Sequence, residues 1–180
     1  MNKISSPLYQ GFINKDLSVN YIYEFDDVGK YQTISQNSSG KIIIRPSFYI
    51  IISEGFEKPS LFIPAMKYHH FAQLITSANK KISDNLYDIF PNITSIEFEI
   101  DSRTLQRFQT EQAMSTGGFT AVPCVYADST STCYPGIRIG NTKGSIVIPL
   151  EDAIPIAHLF NTFDPNLYGL SMLRILGKIE

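Results

Sequence analysis

Along this chain, short runs of alternating apolar and polar residues give way to helical spacing, and they do so twice. Val19-Asn20-Tyr21-Ile22-Tyr23-Glu24-Phe25 puts Val19, Tyr21, Tyr23 and Phe25 on one side, the period of a half-buried strand. Lys41 to Ser53 carries the strongest alternation. Ile42, Ile44, Pro46, Phe48, Ile50 and Ile52 fall on one face, and Lys41, Ile43, Arg45, Ser47, Tyr49, Ile51 and Ser53 on the other. The first face is wholly apolar and predicts burial, with Pro46 marking a bulge or kink. Leu61 to Ile63 is a short strand that opens into a helix from about Ala65. That helix's stripe is Tyr68, Phe71, Ala72, Ile75, Ala78 and Ile82, at three- and four-residue spacing.

The flanking segments read more weakly. Tyr9 to Ile13 predicts a short edge strand and Tyr31 to Ser35 another strand. Ile96 to Asp101 alternates apolar with acidic residues, while residues 102–118 are polar, end in Gly117-Gly118 and predict an exposed hairpin or loop. Phe119 to Tyr126, interrupted by Pro123, and Tyr134 to Ile139 predict strands, and Asn141 to Gly144 a tight turn. Ser145 to Ile148 closes the sheet ahead of a helix from Leu150 with Ile156, Phe160 and Phe163 as its stripe. Glu151 and Asp152 suit the first turn of that helix, and Pro155 requires a first-turn place as well. Leu167 to Ile179 predicts a short apolar helix docked on the protein or on another subunit.

A repeat ties these readings together. Lys58-Pro59-Ser60-Leu61-Phe62-Ile63-Pro64-Ala65 returns eighty-five positions later as Lys143-Gly144-Ser145-Ile146-Val147-Ile148-Pro149-Leu150. Ala72 and Leu74 then fall on Ala157 and Leu159. Each copy reads as a last strand, a proline stop and a helix packing back on the sheet. The expected fold is therefore α+β: two strand-strand-strand-strand-helix units, antiparallel sheets backed by helices. A single domain spans 1–180, its halves covering about 19–90 and 94–170 with a tail at 167–180. One unit alone would expose the apolar face of its sheet, so the halves pack as a pseudo-symmetric pair.

Composition narrows the function classes. The chain has 180 residues, 43% of them apolar and 18% charged, and a net charge of -2. That suits a folded core and requires any nucleic-acid site to be a local patch. Cys124 and Cys133 are the only cysteines; they lack zinc spacing and read as reduced thiols, with pairing across a hairpin as the alternative. The N-terminus has no apolar signal core, and no run approaches the ~20 residues of a membrane span, so a cytoplasmic protein is expected. The apolar Leu170 to Ile179 predicts a homo-oligomer.

Candidate chemistry centres on Lys41, Arg45 and Tyr49, which the alternation places on one strand face. Cations meet phosphates and aromatic rings stack bases, each stacked base contributing about 1–3 kcal/mol. Tyr21, Tyr23 and Tyr31 extend this platform if the register allows, and the bland alternative is a solvated sheet face. Lys58 and Lys143 precede equivalent strands, and Arg138 sits within one; turn or surface roles compete for each. His69-His70 are adjacent, point about 100° apart on a helix and make no metal site, and His158 stands alone. Glu97, Glu99 and Asp101 read as a solvated or nucleic-acid-repelling face. No nucleophile elbow, phosphate loop or dinucleotide fingerprint occurs, so the chain reads as no enzyme, with no cofactor and no metal.

On the Leu61–Ile75 and Ile146–Phe160 segments and the element order, the chain resembles the Whirly family of single-stranded nucleic-acid-binding proteins. It also resembles the positive-cofactor-four coactivators, which look like one half of the same plan. The resemblance implies curved antiparallel sheets backed by helices, oligomers, and single-stranded DNA, or RNA, running over the outer faces of the sheets. The Lys-Gly-Asn signature of the plant members is absent; Lys143-Gly144-Ser145 is a loose echo. DNA replication, recombination or repair is the process implied, and the size and Ile/Asn/Lys-rich usage suit a phage-encoded protein. The rival class is a structural or protein-interaction module, such as a phage assembly component.

Overall fold

The computed structural model describes residues 2–25, 33–36, 42–45, 47–55, 60–85, 88, 102–111, 113–130, 132–164, 167–168, 171 and 174. In the first half, strands β1 (Asn2–Gln10), β2 (Ser18–Phe25), β5 (Ser47–Ser53) and β6 (Ser60–Pro64) form an antiparallel sheet in the order β1-β2-β5-β6. Strands β3 (Thr33–Gln36) and β4 (Ile42–Arg45) pair as a separate two-stranded ribbon. A 3-10 turn at Ala65–Lys67 leads into helix α1 (Tyr68–Asp84). In the second half, helix α2 (Ser102–Glu111) precedes β7 (Met114–Thr116), β8 (Phe119–Ala127), β9 (Cys133–Asn141) and β10 (Gly144–Pro149). Those four strands form an antiparallel sheet in the order β10-β9-β8-β7, and helix α3 (Leu150–Thr162) follows at once. The fold is α+β, two four-stranded antiparallel sheets backed by helices.

The repeated segment occupies one structural position in both halves. Ile63 pairs with Ile50, and Leu61 with Ile52. Ile148 pairs with Ile137, and Ile146 with Ile139. All eight side chains are buried at 1% exposure or less. Pro64 and Pro149 each end a strand, because proline cannot continue the ladder, and each opens the helical segment. Helix α1 buries Phe71, Ala72, Leu74, Ile75, Ala78 and Ile82, the period-3.6 stripe. The two long helices pack on each other. Phe71 meets Phe119 of β8 at 5.2 Å between ring centroids and Phe160 of α3 at 4.8 Å. Phe163, just past α3, meets Tyr21 of β2 at 5.3 Å. Each edge-to-face pair adds about 0.5–1.5 kcal/mol beyond area burial, so the halves are held by each other's aromatic residues.

Asp152, wholly buried in the first turn of α3, ties the β1–β2 loop to the second half. Its Oδ1 accepts from Tyr9 Oη at 2.6 Å and Phe12 N at 2.6 Å, and its Oδ2 from Ile13 N and Asn14 N at 3.2 Å each. A first-turn acid was expected on macrodipole grounds; the carboxylate also satisfies three loop amides that burial would otherwise leave unpaired. Burial raises the Tyr9 hydroxyl above its ordinary pKa, and the Asp152 hydrogen bond adds to the rise.

Several expectations are corrected. The first edge strand is Asn2–Gln10, not Tyr9 to Ile13. Residues 102–118 hold the expected hairpin only at their Gly117-Gly118 end: Leu105 and Phe108 sit three apart among good helix formers, and Ser102–Glu111 is helical before β7. The Lys41–Ser53 stretch is two strands in different sheets, with the donor-less Pro46 between them in sequence. Pro155 lies in the second turn of α3, where its missing N–H leaves the Glu151 carbonyl without its helical donor. Cys124 pairs with Gly136 and Cys133 with Ala127, three rungs or about 10 Å apart and on opposite faces, beyond reach of a disulfide. Neither cysteine forms one. Ile96–Asp101 and most of the tail, including Leu170, Leu173, Ile175 and Leu176, lie outside the described residues. Among the described residues no helix is long and apolar enough to cross a membrane.

Candidate nucleic-acid interface

The outer face of the second sheet is set by strand parity. Ala121, Ile139 and Ile146 point inward on one rung, so the next rung, Thr120, Gly140 and Ser145, points outward. Val122, Arg138 and Val147 follow on the same outer face. Thr120, Arg138 and Ser145 are exposed. Gly140 keeps the floor of this face bare: a Cβ there would lie 2.5 Å from both the Gly144 carbonyl oxygen and the Ser145 Cβ. The result is a groove of about 410 Å³ lined by Thr120, Val122, Arg138, Asn141, Thr142 and Ser145.

A second groove of about 410 Å³ continues it across the junction with the first sheet. Phe62, Pro64 and Lys67 line one side and Phe119 and Lys143 the other, and Gly118 and Asn141 border both grooves. Two turns shape this junction. Thr116 pairs with Phe119 around Gly117 and Gly118, whose φ values of 62° and 87° demand glycine in a tight hairpin turn. At the β9–β10 turn, Asn141 Oδ1 accepts from Lys143 N at 2.8 Å, which fixes the turn with Lys143 exposed.

Phe62 is the exposed aromatic of the groove, 46% accessible because Leu61 and Ile63 on either side take the inward positions. Tyr49 lies beneath it. Their ring centroids are 4.3 Å apart, and Tyr49 keeps only 7% exposure. Tyr49 therefore props Phe62 and is not itself an open stacking surface.

The expected sites are redistributed. Arg138 lines one groove and Lys143 the adjoining one. The expectation for Tyr21 and Tyr23 is corrected: both are fully buried, since β2 pairs Tyr21 with Ile50 on the core face and Tyr23 follows two residues on, while Tyr49 pairs with Ile22 on the other face. Burial pushes the Tyr21 hydroxyl well above its usual range, with Tyr68, Tyr23 and Tyr168 adding to the shift. Arg45 ends β4, in a different sheet from Tyr49, so the two do not share one strand face; the Arg45 side chain is outside what the structure describes. Lys41, Tyr31 and Lys58 lie outside the described residues. Phe62, Lys67, Thr120, Asn141 and Ser145 were missed. Period two signals Phe62, Thr120 and Ser145, but nothing local signals that two sheet edges meet.

Farther along the same outer face the charge reverses. Cys124, buried two rungs beyond Arg138, has its thiol pushed up to about 12, chiefly by burial; Arg138 pulls it down and Glu54 pushes it up. Beyond it Tyr126 and Tyr134 pair across the strands beside Asp16, Glu54 and Asp128, which line an adjoining hollow with Tyr126. No group of histidine, cysteine and carboxylate side chains that could hold a metal occurs among the described residues.

No family model matches this chain. No curated protein matches it either. Among solved structures, the crystal structure of WHY1 from Arabidopsis thaliana aligns over 100% of this chain and 95% of that one, at 9% identity and a TM-score of 0.27. A likeness that weak carries no argument about function, which rests on the chemistry of the grooves instead.

Proposed function

We propose that this protein binds single-stranded nucleic acid, DNA in the first instance, along the joined grooves, without sequence preference and without catalysing a reaction. The observation that carries this reading is the lining: Lys67, Arg138 and Lys143 border a continuous path with the exposed ring of Phe62, and no carboxylate is among the described residues that line it. Cations there meet phosphates, and one aromatic face stacks any base. Thr120, Thr142 and Ser145 offer hydroxyls and Asn141 an amide, uncharged partners for sugar, phosphate or base edges alike. A net charge of -2 does not oppose this, because the positive field is local. Such binding suits DNA replication, recombination or repair, and self-association would lengthen the bound track.

Gel shifts with labelled oligo(dT) at about 50 and about 200 mM salt test the reading, since counterion release makes affinity fall as salt rises. Arg138→Gln with Lys143→Gln is expected to weaken binding and to flatten the salt slope by about 0.7 for each phosphate no longer neutralised. Phe62→Ala is expected to cost about 1–3 kcal/mol with little change of slope. Folded wild-type protein that shows no salt-dependent binding would leave the protein-interaction reading, which the 81% exposure of Met66 near Phe62 favours.

A further inference from the structure

We infer that the acidic end of the second sheet's outer face is a charge boundary that stops the bound nucleic acid beside Arg138 and so fixes the length of its footprint. This rests on the reading of the grooves as the binding site. The outer face of β8 and β9 is continuous in register from Thr120 and Gly140, through Val122 and Arg138, to Cys124 and Gly136, and on to Tyr126 and Tyr134. Nothing in the backbone pairing ends a path along it. On shape and ring content, the far end is the better stacking surface, because Tyr126 and Tyr134 stand as a cross-strand pair with centroids 6.3 Å apart.

Burial and charge both differ along this face: the Cys124–Gly136 rung is closed from solvent, and the hollow beyond it sets three carboxylates against Lys15. Asp16, Glu54 and Asp128 converge on Tyr126 from three separate segments, the β1–β2 loop, the end of β5 and the β8–β9 turn. Backbone amides hold Glu54 and Asp128 in place. Glu54 Oε1 accepts from Val147 N of β10 at 2.7 Å, and Asp128 Oδ1 accepts from Thr130 N and Thr132 N at 2.8 and 2.9 Å. Cys124 marks the crossing, since it senses both Arg138 and Glu54. A phosphate carried past Arg138 would meet fixed like charge within a Debye length, about 8–10 Å at ordinary salt, where repulsion is only partly screened. The nucleic acid is thereby turned from the tyrosines toward the Lys143, Phe62 and Lys67 groove, and it binds in one register.

The test is the double variant Glu54→Gln/Asp16→Asn, which keeps an oxygen acceptor at both positions. The charge-matched control is Asp84→Asn/Glu151→Gln, at exposed positions on α1 and α3. Binding to an oligo(dT) length series is measured with salt dependence for all three proteins, after thermal melts show each to be folded. The boundary variant is expected to gain affinity for the longer oligomers only, by about three- to tenfold, with the gain largest at low salt, where the lifted repulsion is least screened, so that the salt slope steepens. Its minimum footprint should lengthen while the control stays like wild type. An unchanged footprint and slope, or the same gain in the control, overturns the boundary but leaves the groove reading standing if wild type binds. A wild-type protein that does not bind overturns both.

Discussion

The two halves share a register but not a surface. Ser60, Ile63 and Pro64 in β6 occupy the places of Ser145, Ile148 and Pro149 in β10, and the inward residues do the same work of closing a core on each other's helices. Outward, the halves part. The first sheet presents Ile22 and Tyr49, almost closed at 4% and 7% exposure, and opens at its β6 edge with Phe62, whereas the second presents Thr120, Arg138 and Ser145 over a bare Gly140. The same divergence occurs three residues after each proline, where the first half has Lys67, on the groove, and the second has Asp152, wholly buried. The repeat thus constrains what faces in. What faces out is free to differ, and in this chain the candidate function lies mainly on one copy and its junction with the other.

Asp152 and Lys67 are where the two copies should diverge most. Asp152→Ala removes one carboxylate and leaves three amides and the Tyr9 hydroxyl without their acceptor. With each buried unpaired donor costing about 1–3 kcal/mol and some regained by water, a loss of about 3–5 kcal/mol in denaturant unfolding is expected. Lys67→Ala should change stability by less than about 0.5 kcal/mol while weakening oligonucleotide binding. Equal stability losses at the two positions would contradict this division of roles.

Next come the two isoleucines that the register makes equivalent. Ile50 and Ile137 are both fully buried and pair with Ile63 and Ile148. Ile50→Ala and Ile137→Ala should each cost about 2–5 kcal/mol and agree within about 1 kcal/mol. A loss below about half a kcal/mol at either position would show that the halves do not share a core.

The sequence disclosed the inward half of the structure well. Alternation placed Ile50 and Ile52 inside, the repeated Ser-x-x-Ile-Pro segment located both strand-to-helix junctions, and helical spacing identified Phe71 and Phe160 as core. It failed where a pattern has two physical readings. Tyr21 and Tyr23 alternate as strand residues on whichever face they occupy, and only the pairing of Tyr21 with Ile50 shows that face to be the core. The polar 102–111 segment has the same composition as a loop, yet its leucine and phenylalanine spacing suits a helix. The groove itself was illegible, because Phe62 and Lys67 lie in one half and Lys143 in the other, and they meet only when two sheet edges do.

A smaller difference separates the two cysteines of the second sheet. Burial holds the Cys124 thiol up to about 12, so at pH 8 its thiolate fraction is on the order of one part in ten thousand. Alkylation of the folded protein should modify the half-buried Cys133 first, with Cys124 reacting only on unfolding. Because its folded pKa is raised from an ordinary 9.0, Cys124 contributes stability that is complete below about pH 9 and lost as pH rises toward about 12. Cys124→Ala should therefore flatten the alkaline end of the stability profile. Equal alkylation rates for the two cysteines in the native protein would contradict the burial assigned to this rung.

Above all, nucleic acid should lie on the groove joining the second sheet's outer face to Phe62, not on a tyrosine face of the first sheet. Photo-cross-linking with a bromouracil-substituted oligonucleotide, followed by peptide mapping, separates these two surfaces. Adducts are expected within residues 60–67, 118–122 and 138–145, centred on Phe62, with those at Phe62 itself lost in Phe62→Ala. Adducts on Tyr21, Tyr23 or Tyr49 that persist in Phe62→Ala would contradict the groove as the binding site.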